Sequence, residues 1–184
     1  LHVAGVGPGD EVLVPAMTFA ATANAVCYLG GVPVFVDVDP DTLLMDTQDL
    51  ARKMTPRSKA VVAVDYAGQP CDYDALDALC RAHGLALFSD ACHAIGASLH
   101  GRPVGTLAAM TVLSFHPVKH IATGEGGMVL TDDAEKAHLL RRFRNHGIDT
   151  DARQREAKGS WHYSMVELGF NYRLSELHAA LGAS

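Results

Sequence analysis

The sequence predicts an α/β domain in which a mostly parallel sheet is flanked by helices. Short apolar runs of strand length alternate with longer segments of helix length, which is the pattern of a parallel sheet with crossover helices. One run, at residues 60–65, is almost continuously apolar, as expected of a strand buried on both faces. The composition is that of a globular protein, with 48% hydrophobic and 20% charged residues among 184.

Six segments are predicted to be strands because they are short, apolar and closed by a proline, a glycine or a polar residue. They are residues 11–15, 32–38, 60–65, 85–90, 110–115 and 127–131. The last two are too close in sequence for a crossover helix between them. A hairpin or a sheet of mixed direction is therefore expected at that place.

Five segments are predicted to be helices, because each follows or begins with a residue whose side chain can cap a helix. They are residues 18–29, 46–54, 75–83, 134–144 and 176–181. The expected caps are Thr18 or Thr22, Asp46 or Thr47, Asp72 or Asp74, Asp133 and Ser175. Residues 91–105 and 148–159 are predicted to be loops, since they carry glycine or polar residues without apolar periodicity.

Composition argues against several classes of function. The net charge of −6 gives no electrostatic basis for binding nucleic acid, and no apolar run is long enough to span a membrane. The four cysteines have neither CxxC nor zinc spacing, so we expect reduced, buried thiols in a cytoplasmic protein. His116 and His120 stand four residues apart, but Pro117 and the lack of a third ligand argue against a metal site.

Both ends of the sequence look like cuts through helices. The chain opens without a methionine, at what reads as the last turn of a helix, and it closes in or just after another helix. We therefore expect residues 1–184 to be an internal segment of a larger protein.

The stretch at residues 114–127 holds one lysine, Lys119, between two predicted strands. A lysine in such a position is costly to bury unless it is paired or used chemically. An amine held there suits a nucleophile that attacks a carbonyl group. The alternative is a lysine that points into water from a surface loop.

Asp90 ends one predicted strand, Ser114 lies at the end of the next, one residue before its last, and His93 follows shortly after Asp90. In open α/β sheets, ligands bind outside the carboxyl ends of the strands. A lysine and an acid at neighbouring strand ends suit pyridoxal 5′-phosphate, which needs a lysine for a Schiff base and an acid beside its ring nitrogen. The alternatives are that Asp90 is a helix cap or turn residue and that His93 is a structural histidine of the core.

A series of motifs, in order along the chain, resembles the DegT/DnrJ family of sugar-nucleotide aminotransferases. They are residues 7–12, 15–22, 34–38, 90–97, 114–121 and 124–127. Segments 144–148 and 161–173 resemble most closely the branch that makes pseudaminic acid precursors. The resemblance covers essentially the whole chain. It implies the central part of the large, cofactor-binding domain of a fold type I aminotransferase, without its N-terminal phosphate loop and C-terminal small domain.

The resemblance also implies a role for each matched residue. Lys119 resembles the lysine that holds the cofactor covalently and later moves the proton, and Asp90 resembles the acid at the pyridine nitrogen. His93 matches the contact with the 3′ oxygen of the ring, and Ser114 matches a phosphate ligand. Phe19 matches the aromatic residue that stacks on the ring, although a plain core phenylalanine is an equal alternative.

The family further implies a homodimer and a reaction. Asn171 matches the asparagine that reaches the cofactor phosphate of the neighbouring subunit. The implied reaction transfers an amino group from an amino-acid donor, with glutamate expected, to C4 of a UDP-4-keto-6-deoxy-N-acetylhexosamine. Two alternatives stay open: an aminotransferase for another keto-sugar nucleotide, at C3 or with the other C4 stereochemistry, and a non-catalytic protein that binds the cofactor as a regulator.

Overall fold

Strands and helices alternate along the backbone, as predicted, in a computed structural model that describes residues 1–157 and 159–184. The strands are β1 (Glu11–Pro15), β2 (Val32–Val36), β3 (Ser58–Val64), β4 (Ala86–Asp90), β5 (Ser98–Leu99), β6 (Arg102–Pro103), β7 (Met110–Ser114) and β8 (Gly127–Leu130). The helices are α1 (Ala20–Cys27), α2 (Thr47–Lys53), α3 (Tyr73–His83), α4 (Ala134–Phe143), α5 (Ala152–Ala157) and α6 (Glu176–Ala183).

The main sheet has six strands in the order β2-β1-β3-β4-β7-β8. All neighbouring pairs are parallel except β7 and β8, which are antiparallel. This confirms the predicted mostly parallel sheet and the predicted change of direction around Lys119. Because β4 and β7 are parallel neighbours, with Asp90 opposite Val112, their carboxyl ends reach the same edge of the sheet.

Apolar side chains cover both faces of the sheet. On one face, Leu13 and Val61 of the strands pack with Leu76 of α3. On the other face, Val12 of β1 packs with Val26 of α1. Alternate residues of one strand thus enter different cores, because successive side chains of a strand point to opposite faces.

Most of the predicted helix caps are confirmed, but the cap of α1 is wrong. Asp46, Asp72, Asp133 and Ser175 each accept a hydrogen bond from a backbone N–H of the first turn of their helix. Helix α1 begins at Ala20 after Phe19, which makes no side-chain cap bond. The two threonines considered as its caps use their hydroxyls elsewhere, as described below.

Two predicted loops contain more structure than expected. Within residues 91–105, β5 and β6 form a small antiparallel hairpin. Within residues 148–159, helix α5 forms instead of a continuous loop. Its start is stabilised by reciprocal hydrogen bonds, since Gln154 N donates to Asp151 Oδ1 at 2.8 Å and Asp151 N donates to Gln154 Oε1 at 3.0 Å. The Asp–Gln spacing was the available signal for this helix.

The cysteines are only partly buried. Cys71 and Cys80 lie in the core, whereas Cys92 is half-buried and Cys27 is exposed, so the prediction of burial is wrong for Cys27. All four are free thiols. In the described part of the chain, no helix combines the length and the apolar character needed to cross a membrane.

Candidate active site

Five of the six predicted site residues line one cavity at the carboxyl edge of the sheet. The cavity has a volume of about 480 Å³, and the predicted residues in its wall are Phe19, Asp90, His93, Ser114 and Lys119. Asp90 ends β4 and Ser114 ends the neighbouring β7, so the parallel pairing brings them together. The loop between the antiparallel strands β7 and β8 then places Lys119 beside them.

The loop that carries Lys119 is held by backbone hydrogen bonds at its base. Phe115 N donates to the carbonyl of Gly126 at 2.8 Å, and Thr123 N donates to the carbonyl of Phe115 at 2.9 Å. Lys119 N donates to the carbonyl of His116 at 2.9 Å, which closes a tight turn around the lysine. Lys119 itself is half-buried in the cavity wall rather than extended into water.

Two hydrogen bonds from different elements hold the Asp90 carboxylate. Thr22 of α1 donates its hydroxyl to Asp90 Oδ2 at 2.9 Å, and Cys92 N donates to Oδ1 at 3.3 Å. Asp90 therefore caps no helix, but its bond from Cys92 N, two residues on, is the contact of a turn residue, so that alternative describes one of its two roles. The contact with Thr22 is not predicted from the sequence, in which Thr18 or Thr22 is expected to cap α1. The sequence carries no signal for the contact of Thr22 with Asp90, because the two residues belong to segments that are distant in sequence.

Phe19 and His93 complete the wall from two other segments. Phe19 is 78% exposed, so the alternative of a plain core phenylalanine is wrong. His93 is half-buried, and its ring lies edge-on to Tyr66 with the centroids 6.0 Å apart. The rings of Phe19 and His93 both border the cavity, so its wall has one phenyl and one imidazole surface.

Ser114 offers a hydroxyl proton to the cavity. Its Oγ accepts a hydrogen bond from His116 N at 3.3 Å. Within residues 1–157 and 159–184, no acceptor takes the proton of Ser114, which is thus free to donate to an oxyanion.

Cys92 also lines the cavity but is not an activated nucleophile. Burial raises the pKa of its thiol to about 12, and the neighbouring Asp90 carboxylate acts in the same direction. A thiol of that pKa is almost wholly protonated at neutral pH, and the thiolate is the reactive form. Lys119 is therefore the stronger candidate for the nucleophile of this site.

Asn171, the sixth predicted site residue, lies away from this cavity. It is exposed and forms an isolated antiparallel bridge with Asn145, after the end of α4. The structure thus separates Asn171 from the other five residues within one chain.

A second, larger groove of about 730 Å³ runs along β7 and β8 beside α4. Its wall is mostly apolar and includes Arg141 and Arg144, but neither Lys119 nor Asp90 borders it. The smaller cavity is the candidate active site, because its wall combines an amine, a carboxylate and a hydroxyl. No group of three or more potential metal ligands occurs among the residues that the structure describes.

The lining of the smaller cavity fits pyridoxal 5′-phosphate. The cofactor requires a primary amine for covalent attachment and an acid for its ring nitrogen, and Lys119 and Asp90 supply them. The free proton of Ser114 suits a phosphate oxygen. The exposed ring of Phe19 suits a flat aromatic partner, since offset or edge-on ring contacts are favourable.

Comparison with known proteins supports the same assignment. The chain matches the DegT/DnrJ/EryC1/StrS aminotransferase family over residues 1–184. It is 43% identical to the spore coat polysaccharide biosynthesis protein SpsC of Bacillus subtilis over 183 residues, which are 99% of this chain and 47% of that protein. The chain thus spans about half the length of this relative.

Solved structures of aminotransferases have the same fold. The putative sugar aminotransferase Spr1654 from Streptococcus pneumoniae in its PMP form is 34% identical, with a TM-score of 0.91 over 100% of this chain and 51% of that one. Its PLP form gives a TM-score of 0.89 at 34% identity, over 100% of this chain and 50% of that one. Helicobacter pylori PseC, an aminotransferase involved in the biosynthesis of pseudoaminic acid, is 34% identical, with a TM-score of 0.86 over 96% of this chain and 45% of that one.

Proposed function

Because this chain belongs to the DegT/DnrJ/EryC1/StrS aminotransferase family, we propose that the protein transfers an amino group to a keto-sugar nucleotide. The fold is that of fold type I aminotransferases, and the cofactor is pyridoxal 5′-phosphate. The observation that carries the proposal is the convergence of Lys119, Asp90 and Ser114 from separate segments on one cavity.

The proposed acceptor is the C4 ketone of a UDP-4-keto-6-deoxy-N-acetylhexosamine, a precursor of pseudaminic acid, and the proposed donor is glutamate. The likeness to PseC, whose name places it in pseudoaminic acid biosynthesis, supports this acceptor. The likeness to SpsC supports the wider class of polysaccharide precursors. Other keto-sugar nucleotides are therefore the first competitors to test.

Each of the five predicted residues in the cavity wall has a proposed task. When bound, the cofactor supplies an electron sink for the carbon that loses a proton. Lys119 Nζ holds the cofactor and then moves that proton as base and acid. Asp90 balances the positive charge of the ring nitrogen, and Ser114 donates to the phosphate. Phe19 covers one face of the ring, and His93 donates to its 3′ oxygen.

We also propose that residues 1–184 form the central part of a large cofactor-binding domain and that the protein acts as a homodimer. In this proposal Asn171 of a second copy reaches the phosphate. Its exposure outside the cavity of its own chain is consistent with that task. Nearby apolar side chains are also exposed, among them Trp161 and Leu168.

The four free thiols favour a cytoplasmic location for the protein.

The test of the proposed function uses Lys119→Ala, with Lys59→Ala as the control because Lys59 is exposed and outside the cavity. We expect pyridoxal 5′-phosphate to give the wild type and Lys59→Ala a visible absorption band that Lys119→Ala lacks. Glutamate should then remove the band and form 2-oxoglutarate. A wild type without any lysine-dependent band would contradict the proposal.

A panel of keto-sugar nucleotides then identifies the acceptor. Product stereochemistry separates amination at C4 from amination at C3 and distinguishes the two C4 epimers. A lysine-dependent band without amino transfer to any acceptor or from any donor would instead indicate a non-catalytic regulator.

A further inference from the structure

Two threonine hydroxyls of the α1 region form a chain that ends on Asp90. Thr18 Oγ1 lies 2.8 Å from Thr22 Oγ1, and Thr22 Oγ1 lies 2.9 Å from Asp90 Oδ2. Thr22 is 7% exposed, whereas Thr18 borders the cavity. We infer that Thr22 is a positioning residue for Asp90 and that Thr18 fixes the direction of the Thr22 hydroxyl. This inference rests on the proposed function, in which Asp90 faces the cofactor.

The direction of the hydrogen bonds between Thr18, Thr22 and Asp90 follows from the number of protons that each side chain can donate. An ionised carboxylate only accepts hydrogen bonds, and a threonine hydroxyl has one proton to donate. The proton of Thr22 therefore goes to Asp90. The short contact between the two hydroxyls then requires Thr18 to donate to Thr22. Donation runs in one order only, from Thr18 to Thr22 to Asp90.

Thr22 does not need its hydroxyl for the helix. A threonine inside a helix commonly donates back to a carbonyl one turn earlier, or caps the helix from its first position. The hydroxyl of Thr22 instead reaches Asp90 across 68 residues of sequence. The methyl group of the side chain would serve packing equally well in valine, which has nearly the same shape. The hydroxyl is thus explained by Asp90 rather than by α1.

The consequence for Asp90 is a fixed orientation. Its other oxygen receives the longer bond from Cys92 N, at 3.3 Å, and the Cys92 thiol also hydrogen-bonds the carboxylate. Without Thr22, the contacts that hold the carboxylate among the described residues come from Cys92, on one side of the group, and the carboxylate could rotate. Burial of Thr22 keeps water from replacing the lost donor. The position of the negative charge at the cavity wall therefore depends on α1, an element that supplies no charge of its own.

The experiment measures the affinity for pyridoxal 5′-phosphate and the visible circular dichroism of the lysine-bound cofactor in the holoenzyme. We expect Thr22→Val to weaken cofactor binding roughly tenfold and to change the dichroic band, because one hydrogen bond to a charged group is lost. Thr22→Ser keeps the hydroxyl and should restore affinity to within about twofold. Thr18→Val should have a smaller effect, roughly threefold, because Thr22 can still donate to Asp90.

Thr111→Val is the matched control. Thr111 is fully buried in β7 and, within the described residues, its hydroxyl has no hydrogen-bond partner, so valine removes a hydroxyl without removing a bond. Wild-type affinity and dichroism in Thr22→Val would overturn the inference. If Thr22→Val does not fold, as judged by urea unfolding of the apoprotein, Thr18→Val decides: unchanged affinity and dichroism there would also overturn it. A wild type without the lysine-dependent band would instead contradict the proposed function.

Discussion

At the scale of single residues, two acids that end neighbouring strands have opposite environments. Asp90 lies in the cavity wall, whereas Asp65, just after β3, is fully buried. Burial raises the pKa of Asp65, and hydrogen bonds from Cys71 N, Ser89 and Tyr73 act against that rise. Tyr73 donates to Oδ1 and Ser89 to Oδ2, both at 2.9 Å. A carboxylate so placed is stable only while its donors remain.

Removing one of these donors tests that dependence. We expect Tyr73→Phe to lower the free energy of unfolding by about 1–3 kcal/mol, because it leaves a buried acceptor short of one partner. Urea unfolding measures the loss. Tyr28→Phe is the control, since Tyr28 is 82% exposed, and it should change stability by less than about 0.5 kcal/mol. Equal effects of the two substitutions would show that the Tyr73 hydrogen bond to Asp65 adds nothing to stability.

At the scale of secondary-structure elements, the segment that contains α6 packs on the loop that carries Lys119. A Cβ atom at Gly182 of α6 would lie 3.0 Å from Thr123 Cγ2, and one at Gly126 would lie 2.8 Å from Leu174 Cδ1. Thr123 is 1% exposed and donates its hydroxyl to the carbonyl of Glu125 at 2.7 Å. Residues far from Lys119 in sequence thus fix the shape of its loop.

Gly126→Ala should disturb this contact. Gly126 has φ of +154°, and a methyl group there would meet both Leu174 Cδ1 and Thr123 Oγ1 at 2.8 Å. We expect a loss of about 2 kcal/mol in the free energy of unfolding and a weaker lysine-dependent band. Gly96→Ala is the matched control, with φ of +85° but nothing within 4 Å of the new methyl, and should cost about 1 kcal/mol. A smaller loss for Gly126→Ala than for the control would contradict the contact.

The start of α2 offers a test that depends on pH. The pKa of Asp49 is lowered to about 2, first by the hydrogen bond from Asp37 N and then by Lys53, whose Nζ lies 2.7 Å from Oδ2. Since the folded pKa lies below the ordinary 3.8, the stabilising contribution is complete above 3.8 and is lost as the pH falls toward about 2.

We therefore expect the stability difference between the wild type and Asp49→Asn to be constant above that window and to shrink within it. Urea midpoints measured across the window give the difference. Asp132→Asn, at an exposed position, reports the effect of removing a surface charge. A difference for Asp49→Asn that did not change with pH would rule out ionisation of Asp49 as its cause.

At the scale of the whole molecule, the cavity and the exposed C-terminal apolar surface lie in different parts of the chain. Residues 161–172 carry several exposed large apolar side chains: Trp161, Tyr163, Met165, Val166, Leu168, Phe170 and Tyr172. Asn171 lies among them. Exposed apolar side chains in such number are typical of surfaces that bind protein, which is why the shared site of a homodimer is part of the proposed function.

Mixing two inactive variants tests the shared site. Lys119→Ala and Asn171→Ala should each lose activity alone. If Asn171 serves the partner, each mixed dimer has one intact site, and an equal mixture should regain about a quarter of wild-type activity. The control is wild type mixed with a variant that carries both Lys119→Ala and Asn171→Ala. Its mixed dimers contain no intact site, so this mixture should gain no activity over its wild-type dimers. No recovery in the mixture of single variants would mean that Asn171 acts within its own chain or not at all.

The sequence by itself determined the six strands of the main sheet, the caps of four helices and the group of residues around Lys119, but not the β5–β6 hairpin. These depend on local chemistry, such as apolar runs, side chains that cap helices and polar residues at strand ends. Asp90, Ser114 and Lys119 were predictable as neighbours because parallel strands place their carboxyl ends at one edge. Helix α5 was missed although its Asp–Gln capping pair was visible in the sequence.

Only the tertiary structure decided what holds those residues in place. Thr22 resembled a helix cap in sequence, yet its hydroxyl reaches Asp90, 68 residues away. The contact of Gly182 with Thr123 likewise joins distant segments. Such contacts depend on how helices settle on the sheet, which no local pattern encodes. The sequence thus predicted which groups meet at the cavity, and the packing of α1 and of the segment with α6 decided what surrounds them.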